Sequence, residues 1–174
     1  MNNYFETLQL EINFAIDQIQ LNQQYHNLIK MNHPDRFTQA NHNLQTQALT
    51  NTSIINEAYL CLKNPLTRAK HILELNKNEF QEQKNITDTK FLFTQMQLHE
   101  QTESLAQAGK IEELDQFKAE LLQEYEEQLN QLNNNLQQKN WLQAEQNLLQ
   151  AKMLNNIQKK LAIIYNKTQE TVTE

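Results

Sequence analysis

Apolar positions recur every three to four residues through most of the chain, which is the period of a helix with one buried face. Tyr4, Phe5, Leu8 and Leu10 form a short N-terminal cluster, enough for a first helical turn or two. From Asp17 to Met31, Ile19 or Leu21 is followed by Tyr25, Leu28 and Ile29, predicting a helix that ends near Asn32 to His33. Pro34 requires that end, because it lacks a backbone donor and disfavours the helical conformation in the residue before it. A second long helix is predicted from about Asn41 to Lys63, with Leu44, Ala48, Ile55, Ala58, Tyr59 and Leu62 on one broad face. A third, from Pro65 to Leu75, carries Leu66, Ala69 and Ile72 inward and has its proline where a helix tolerates it.

Polar residues interrupt this pattern at 76–85, where Phe80 is the single large apolar side chain, and 76–86 reads as a linker between residues 1–75 and 87–174. Three more helices are predicted beyond it, at about Thr87 to Ala108, Ile111 to Gln138 and Trp141 to Asn166. Ile111, Leu114, Phe117, Leu121, Tyr125, Leu129, Leu132 and Leu136 make one stripe. Trp141, Ala144, Leu148, Ala151, Leu154, Ile157, Leu161 and Ile164 make another. Gly109 suits the end of the first of the three, and Thr87 or Asp88 its start. The fold class is therefore all-α, a helical hairpin unit followed by a three-helix bundle.

Composition narrows the chemistry. One glycine and two prolines in 174 residues leave no material for a phosphate-cradling loop or a dinucleotide fingerprint, so ATP hydrolysis by this chain is not expected. Asn and Gln make up about a quarter of the chain, but the helical apolar period runs through them, so they read as solvent-facing helix positions. The net charge of −6, without a run of Lys or Arg, lacks the footprint of a nucleic-acid partner. Residues 1–75 carry five Lys/Arg and six Asp/Glu, and the remainder ten and fifteen. No segment has the length of apolar sequence that a membrane span needs, and the expectation is a cytoplasmic protein without a membrane partner.

Few side chains suggest catalysis or metal binding. The single cysteine, Cys61, sits in an apolar pattern that predicts buried packing, and the five histidines show no ligand spacing. Glu124, Glu126 and Glu127 read as a solvated helix face. No catalytic residue, metal or cofactor is assigned.

His33-Pro34-Asp35 is different, because it falls in the loop between the two long helices, with a rigid proline between an imidazole and a carboxylate. Taken alone it is either a docking loop or a helix stop followed by a turn cap. Its setting resembles J-domain proteins: the helix–HPD–helix order, Phe37 after the motif, and Ile55-Asn56-Glu57-Ala58-Tyr59 with Leu62 and Pro65 on the next helix. More narrowly, the chain resembles the HscB family of J-type co-chaperones of iron–sulfur cluster biogenesis. Tyr4-Phe5, Asn64-Pro65-Leu66 with Arg68-Ala69, and Asp88-Thr89-Lys90-Phe91-Leu92-Phe93 with Leu98 and Glu100 carry that likeness.

The resemblance implies that residues 1–75 are a J domain. Its His33-Pro34-Asp35 loop, with Lys30 and Arg36 beside it, would engage a dedicated DnaK-type chaperone ATPase, HscA-like, and accelerate its ATP hydrolysis. It also implies that the C-terminal bundle presents an iron–sulfur scaffold protein, IscU-like. Helical geometry bears on the second role. Phe91, Leu98 and Leu105 lie nearly in line and make a core stripe, while Leu92, Phe93, Met96 and Glu100 occupy a neighbouring sector. That sector is either a binding surface or a second buried face of the bundle; with the resemblance it is read as scaffold-binding, together with Gln97 and Met153. Where the family often has acidic residues beside the apolar patch, this chain has Gln97 and Ser104, and the helix before the loop offers only His26, Lys30 and Arg36 as positive groups near its tip. A J protein for another client, or a helical oligomerisation protein, are the other readings.

Overall fold

The computed structural model describes residues 2–37, 42–77, 89–108 and 111–172, and of these the side chains of Pro34, Phe37, Lys90, Ala106, Ile111 and 166–172 are outside the description. Among them are seven α-helices and one short 3-10 turn: α1 Tyr4–Thr7, α2 Gln18–Asn32, the turn Pro34–Phe37, α3 His42–Lys63, α4 Pro65–Leu75, α5 Thr89–Ala108, α6 Ile111–Gln137 and α7 Trp141–Val172. The chain divides into two compact units, Met1–Glu79 and Phe80–Glu174. The predicted 76–86 linker and the expected roles of Thr87, Asp88 and Gly109 fall largely outside the described residues.

In the first unit, side-chain carboxylate and amide groups fix where helices begin. Asn3 Oδ1 accepts from the Phe5 amide at 3.1 Å, Asp17 Oδ1 from Ile19 at 2.8 Å and Asn64 Oδ1 from Leu66 at 2.8 Å, each satisfying a donor with no partner inside its helix. Pro65 then opens α4 at a position whose N–H would go unused. The central element is α3, which packs against α1, α2, α4 and the 3-10 turn. Phe5, Leu8, Leu21, Ala58, Leu62 and Ala69 are fully buried around it. Of the two candidates on α2, Leu21 faces the core and Ile19 faces solvent. Leu44, expected on the inner face of α3, is exposed, since it lies in the first turn beyond the reach of that core.

Polar residues also enter this core. Arg68 is buried, donates from Nη1 to the Leu62 carbonyl at 2.9 Å and lies over the Phe14 ring at 5.1 Å. Burial lowers its pKa, and the aromatic face and carbonyl offset part of its lost hydration. Cys61 corrects the sequence expectation: it is half-buried, with Sγ 3.6 Å from the Thr67 carbonyl. Partial burial raises its pKa, which disfavours a reactive thiolate.

In the second unit, Leu114, Phe117, Leu121, Met153, Leu154, Ile157 and Leu161 form one buried cluster, and Phe91, Leu98, Leu105, Tyr125 and Tyr165 pack on it partly buried. Apart from Ile111, whose side chain is outside the description, both predicted stripes thus face inward on α6 and α7. At the other end of this helix pair lies an amide cluster with no signal in the apolar period. Buried Asn147 accepts from Asn135 Nδ2 at 2.9 Å and donates to Gln128 and Gln131 at 2.9 and 3.1 Å, so its amide is satisfied without water.

Two tight turns do without glycine. Lys139 (φ 59°) follows α6 with the Asn140 amide bonded to Asn135 O at 2.8 Å and the Lys139 amide to Leu136 O at 3.2 Å. Gln9 (φ 55°) follows α1 with the same pair of bonds, Leu10 to Phe5 and Gln9 to Glu6. Both are Schellman-type ends, where a left-handed residue closes the helix and a side chain beyond glycine costs about 1 kcal/mol. Lys139→Gly is therefore expected to stabilise the bundle by about 1 kcal/mol, read as a higher denaturant midpoint with an unchanged slope.

Candidate functional site

The first candidate surface is the end of the α2/α3 hairpin. Tyr25 stacks on Tyr59 with ring centroids 4.1 Å apart, and each phenol donates across the hairpin, Tyr25 to Asn56 at 3.0 Å and Tyr59 to Asn22 at 2.8 Å. Nearer the loop, the Asn51 amide donates to Asn32 Oδ1 at 3.1 Å, and the Thr52 hydroxyl lies 3.1 Å from the Asn32 carbonyl and 2.8 Å from that of Ala48. These bonds clamp the last residue of α2 to α3, so the following tripeptide leaves from a fixed point.

That tripeptide turns back on itself. The Arg36 amide bonds to the His33 carbonyl at 3.0 Å, and the Arg36 guanidinium donates to the Lys30 carbonyl at 3.2 Å. His33 Nδ1 accepts from the Asp35 amide at 3.3 Å and lies 3.5 Å from the Asp35 carboxylate. Both contacts are made by Nδ1, which leaves Nε2 for a partner outside the loop. The side chains of His33 and Asp35 remain 51% and 84% exposed, so this short loop presents an imidazole and a carboxylate to solvent. Lys30 and Arg36 are exposed beside them. The 3-10 turn beginning at Pro34 was not expected from sequence, where the segment reads only as a loop.

The second candidate surface is on α5. Phe91, Leu98 and Leu105 pack on the bundle core, whereas Leu92, Phe93 and Met96 are 48%, 59% and 60% exposed. Gln97 and Glu100 are exposed too. Three large apolar side chains within five residues, facing solvent on a helix anchored by its other face, make a contiguous apolar patch of the kind that marks protein contact sites. Its methionine adapts to an irregular partner surface. Met153 does not belong to this patch. It is buried in the bundle core against α6, because its position on α7 falls on the inward stripe with Leu154 and Ile157, and its contribution is to packing.

Among the described residues no group of three or more His, Cys, Asp or Glu side chains converges as a metal site, and no helix is long and apolar enough to cross a membrane.

Comparison with known proteins reaches both units. Residues 87–162 match the family model described as the HSCB C-terminal oligomerisation domain. A co-chaperone protein HscB homolog from Mannheimia succiniciproducens is 37% identical over 147 residues, covering 83% of this chain and 85% of its own. The chain belongs to the HscB co-chaperone family. Chaperone HscB from Vibrio cholerae superposes with a TM-score of 0.87 at 32% identity, over 95% of this chain and 99% of that one. Human co-chaperone protein HscB shares the fold, with a TM-score of 0.81 at 23% identity over 94% of this chain and 82% of its own. The fold is that of the family, an N-terminal J domain and a C-terminal three-helix bundle.

Proposed function

We propose that this co-chaperone couples a DnaK-type chaperone of the HscA kind to an iron–sulfur scaffold of the IscU kind, assisting maturation of iron–sulfur proteins. The J domain, residues 1–75, stimulates the chaperone ATPase through His33, Pro34 and Asp35, with Lys30 and Arg36 supplying positive charge at the contact. The bundle, residues 87–174, holds the scaffold through Leu92, Phe93, Met96, Gln97 and Glu100. The cluster is cargo in this scheme, and no residue of this chain takes part in bond chemistry.

The observation that carries the reading is the exposure of Leu92, Phe93 and Met96 on a helix whose core stripe is already satisfied. Burying such an apolar trio against a partner supplies the driving force for docking, and the polar Gln97 and Glu100 at its edge supply register. Calorimetric titration of the chain with the scaffold tests it. A saturable one-to-one isotherm with a negative heat-capacity change is expected, whereas no heat at any temperature removes the scaffold from the scheme.

The matching family's description as an oligomerisation domain favours a second role for the bundle, self-association. Sedimentation at two protein concentrations separates the two. A monomer that binds scaffold supports the adaptor reading, and a dimer that loses scaffold binding supports the second.

A further inference from the structure

The one buried histidine of the J domain lies at an unusual junction. His71 is 2% exposed on α4, and its Nε2 accepts a hydrogen bond from the backbone amide of Tyr4 at 3.1 Å. Tyr4 is the first residue of α1, so this amide has no acceptor within its own helix. The imidazole also stacks on the Tyr4 ring at 4.6 Å and lies 6.0 Å from the Phe5 ring, nearly parallel to both. With Nε2 accepting, the proton is on Nδ1, and that buried N–H has no partner. The neutral ring is therefore held by one bond that requires Nε2 to be unprotonated.

We infer that His71 is a pH-operated latch on the N-terminal helix, holding α1 closed while the imidazole is neutral and releasing it on protonation. Once Nε2 carries a proton, two donors face each other across the 3.1 Å contact, and a cation occupies a buried site where the Tyr4 and Phe5 rings offset only part of its lost hydration. The groups around it do not neutralise that cation. Glu74, on the same helix, acts on the ring but is paired with Lys70 at 3.4 Å. From α3, Glu57 and Cys61 act on the Tyr4 side chain, and Arg68 is committed to the Leu62 carbonyl and Phe14. Glu6 on α1 is exposed.

The sign follows from burial, which lowers the imidazole pKa below its ordinary value. The open form, with His71 in water, binds the proton more tightly than the closed form. The latch is thus fully closed above about pH 6.5, and each unit below that favours opening by up to about tenfold until the folded pKa is passed. What opens is small, since α1 is four residues ended by the Leu8 and Leu10 amide bonds to Tyr4 and Phe5. The α3/α4 core keeps its own contacts.

Amide hydrogen exchange by NMR on the intact chain tests this, with protection factors taken at pH 7.5, 6.5 and 5.5 to remove the intrinsic pH dependence of exchange. Protection of Leu8 and Leu10 is expected to fall across the last unit, by up to about fivefold, while that of Leu62 and Ala69 holds. In a His71→Gln variant, whose side chain does not titrate, the Leu8 and Leu10 values should be independent of pH over this range. Unchanged protection of Leu8 and Leu10 in the wild type would overturn the latch. So would a fall shared equally by Leu62 and Ala69, which would mean that the unit opens as a whole.

Discussion

Alanine at Leu92, Phe93 and Met96 together is expected to weaken binding of the iron–sulfur scaffold by roughly 3 to 5 kcal/mol, on the order of a hundredfold to a few thousandfold in Kd. Each side chain contributes about 1.5 to 3 kcal/mol when fully buried, but truncations within one patch are not additive, which holds the total below the simple sum. The half-exposed state of all three in the free chain has a second consequence. Their loss removes little packing, so the melting temperature should move by only a degree or two, within the range of ordinary surface substitutions. Leu154→Ala provides the contrast. That residue is fully buried between α6 and the rest of its cluster, and its truncation should cost about 2 to 5 kcal/mol of stability. Calorimetric titration paired with melting curves for the two variants distinguishes a contact surface from a core. A triple variant that binds normally, or whose weakened binding is matched by a large loss of stability, refutes the assignment of the patch.

His33→Gln is expected to abolish stimulation of the chaperone ATPase and leave the fold untouched. Its imidazole is half-exposed and meets Asp35 within its own loop, so the folded state loses no more than about 0.5 kcal/mol. The proposed chaperone contact is expected to lose much more, because an imidazole on a fixed loop is replaced by an amide of different shape and reach. The fixed point matters: Asn51, Thr52 and Asn32 hold the end of α2 to α3 independently of His33, so the loop stays in place when the side chain changes. Circular dichroism and a denaturation curve should be those of the wild type, while single-turnover ATP hydrolysis should show the rate of the chaperone alone.

Much of this architecture is legible in the chain because its helices are long, their apolar stripes are regular and their stops are chemically explicit. Pro34 follows the end of α2 and Pro65 the end of α3 in the structure as in sequence, and α4 spans Pro65–Leu75 as its stripe predicts. The α5 geometry is also readable, since Phe91, Leu98 and Leu105 lie in line and the remaining apolar residues have to point elsewhere. Whether that other sector was covered could not be read from one helix, because burial depends on where neighbours stop. Met153 shows the same gap from the other side: a flexible apolar residue looks alike in a core and at a contact, and its place beside Leu154 and Ile157 decides for the core.

The polar interior was hidden for a different reason. His71, Arg68 and Asn147 interrupt the apolar period, and a period-based reading places such residues on the solvent side. Each is buried because a particular partner three-dimensionally opposite satisfies part of it: Tyr4 for His71, Leu62 and Phe14 for Arg68, and Gln128, Gln131 and Asn135 for Asn147. The turns at Gln9 and Lys139 escaped notice similarly, since glycine usually marks a left-handed helix end and this chain places ordinary side chains there. α7 runs to Val172, past the expected end at Asn166, through residues whose polarity gives no apolar stripe to follow.

Coupling between the two surfaces is measured most directly by single-turnover ATP hydrolysis by the DnaK-type chaperone. The chaperone would be mixed with this chain, with scaffold, and with both. Faster hydrolysis with the chain alone, a further increase when scaffold is added, loss of both effects in His33→Gln, and loss of only the scaffold-dependent increase in the Leu92, Phe93 and Met96 triple alanine variant are the predicted results. A hydrolysis rate that the wild-type chain leaves unchanged, with or without scaffold, would contradict it.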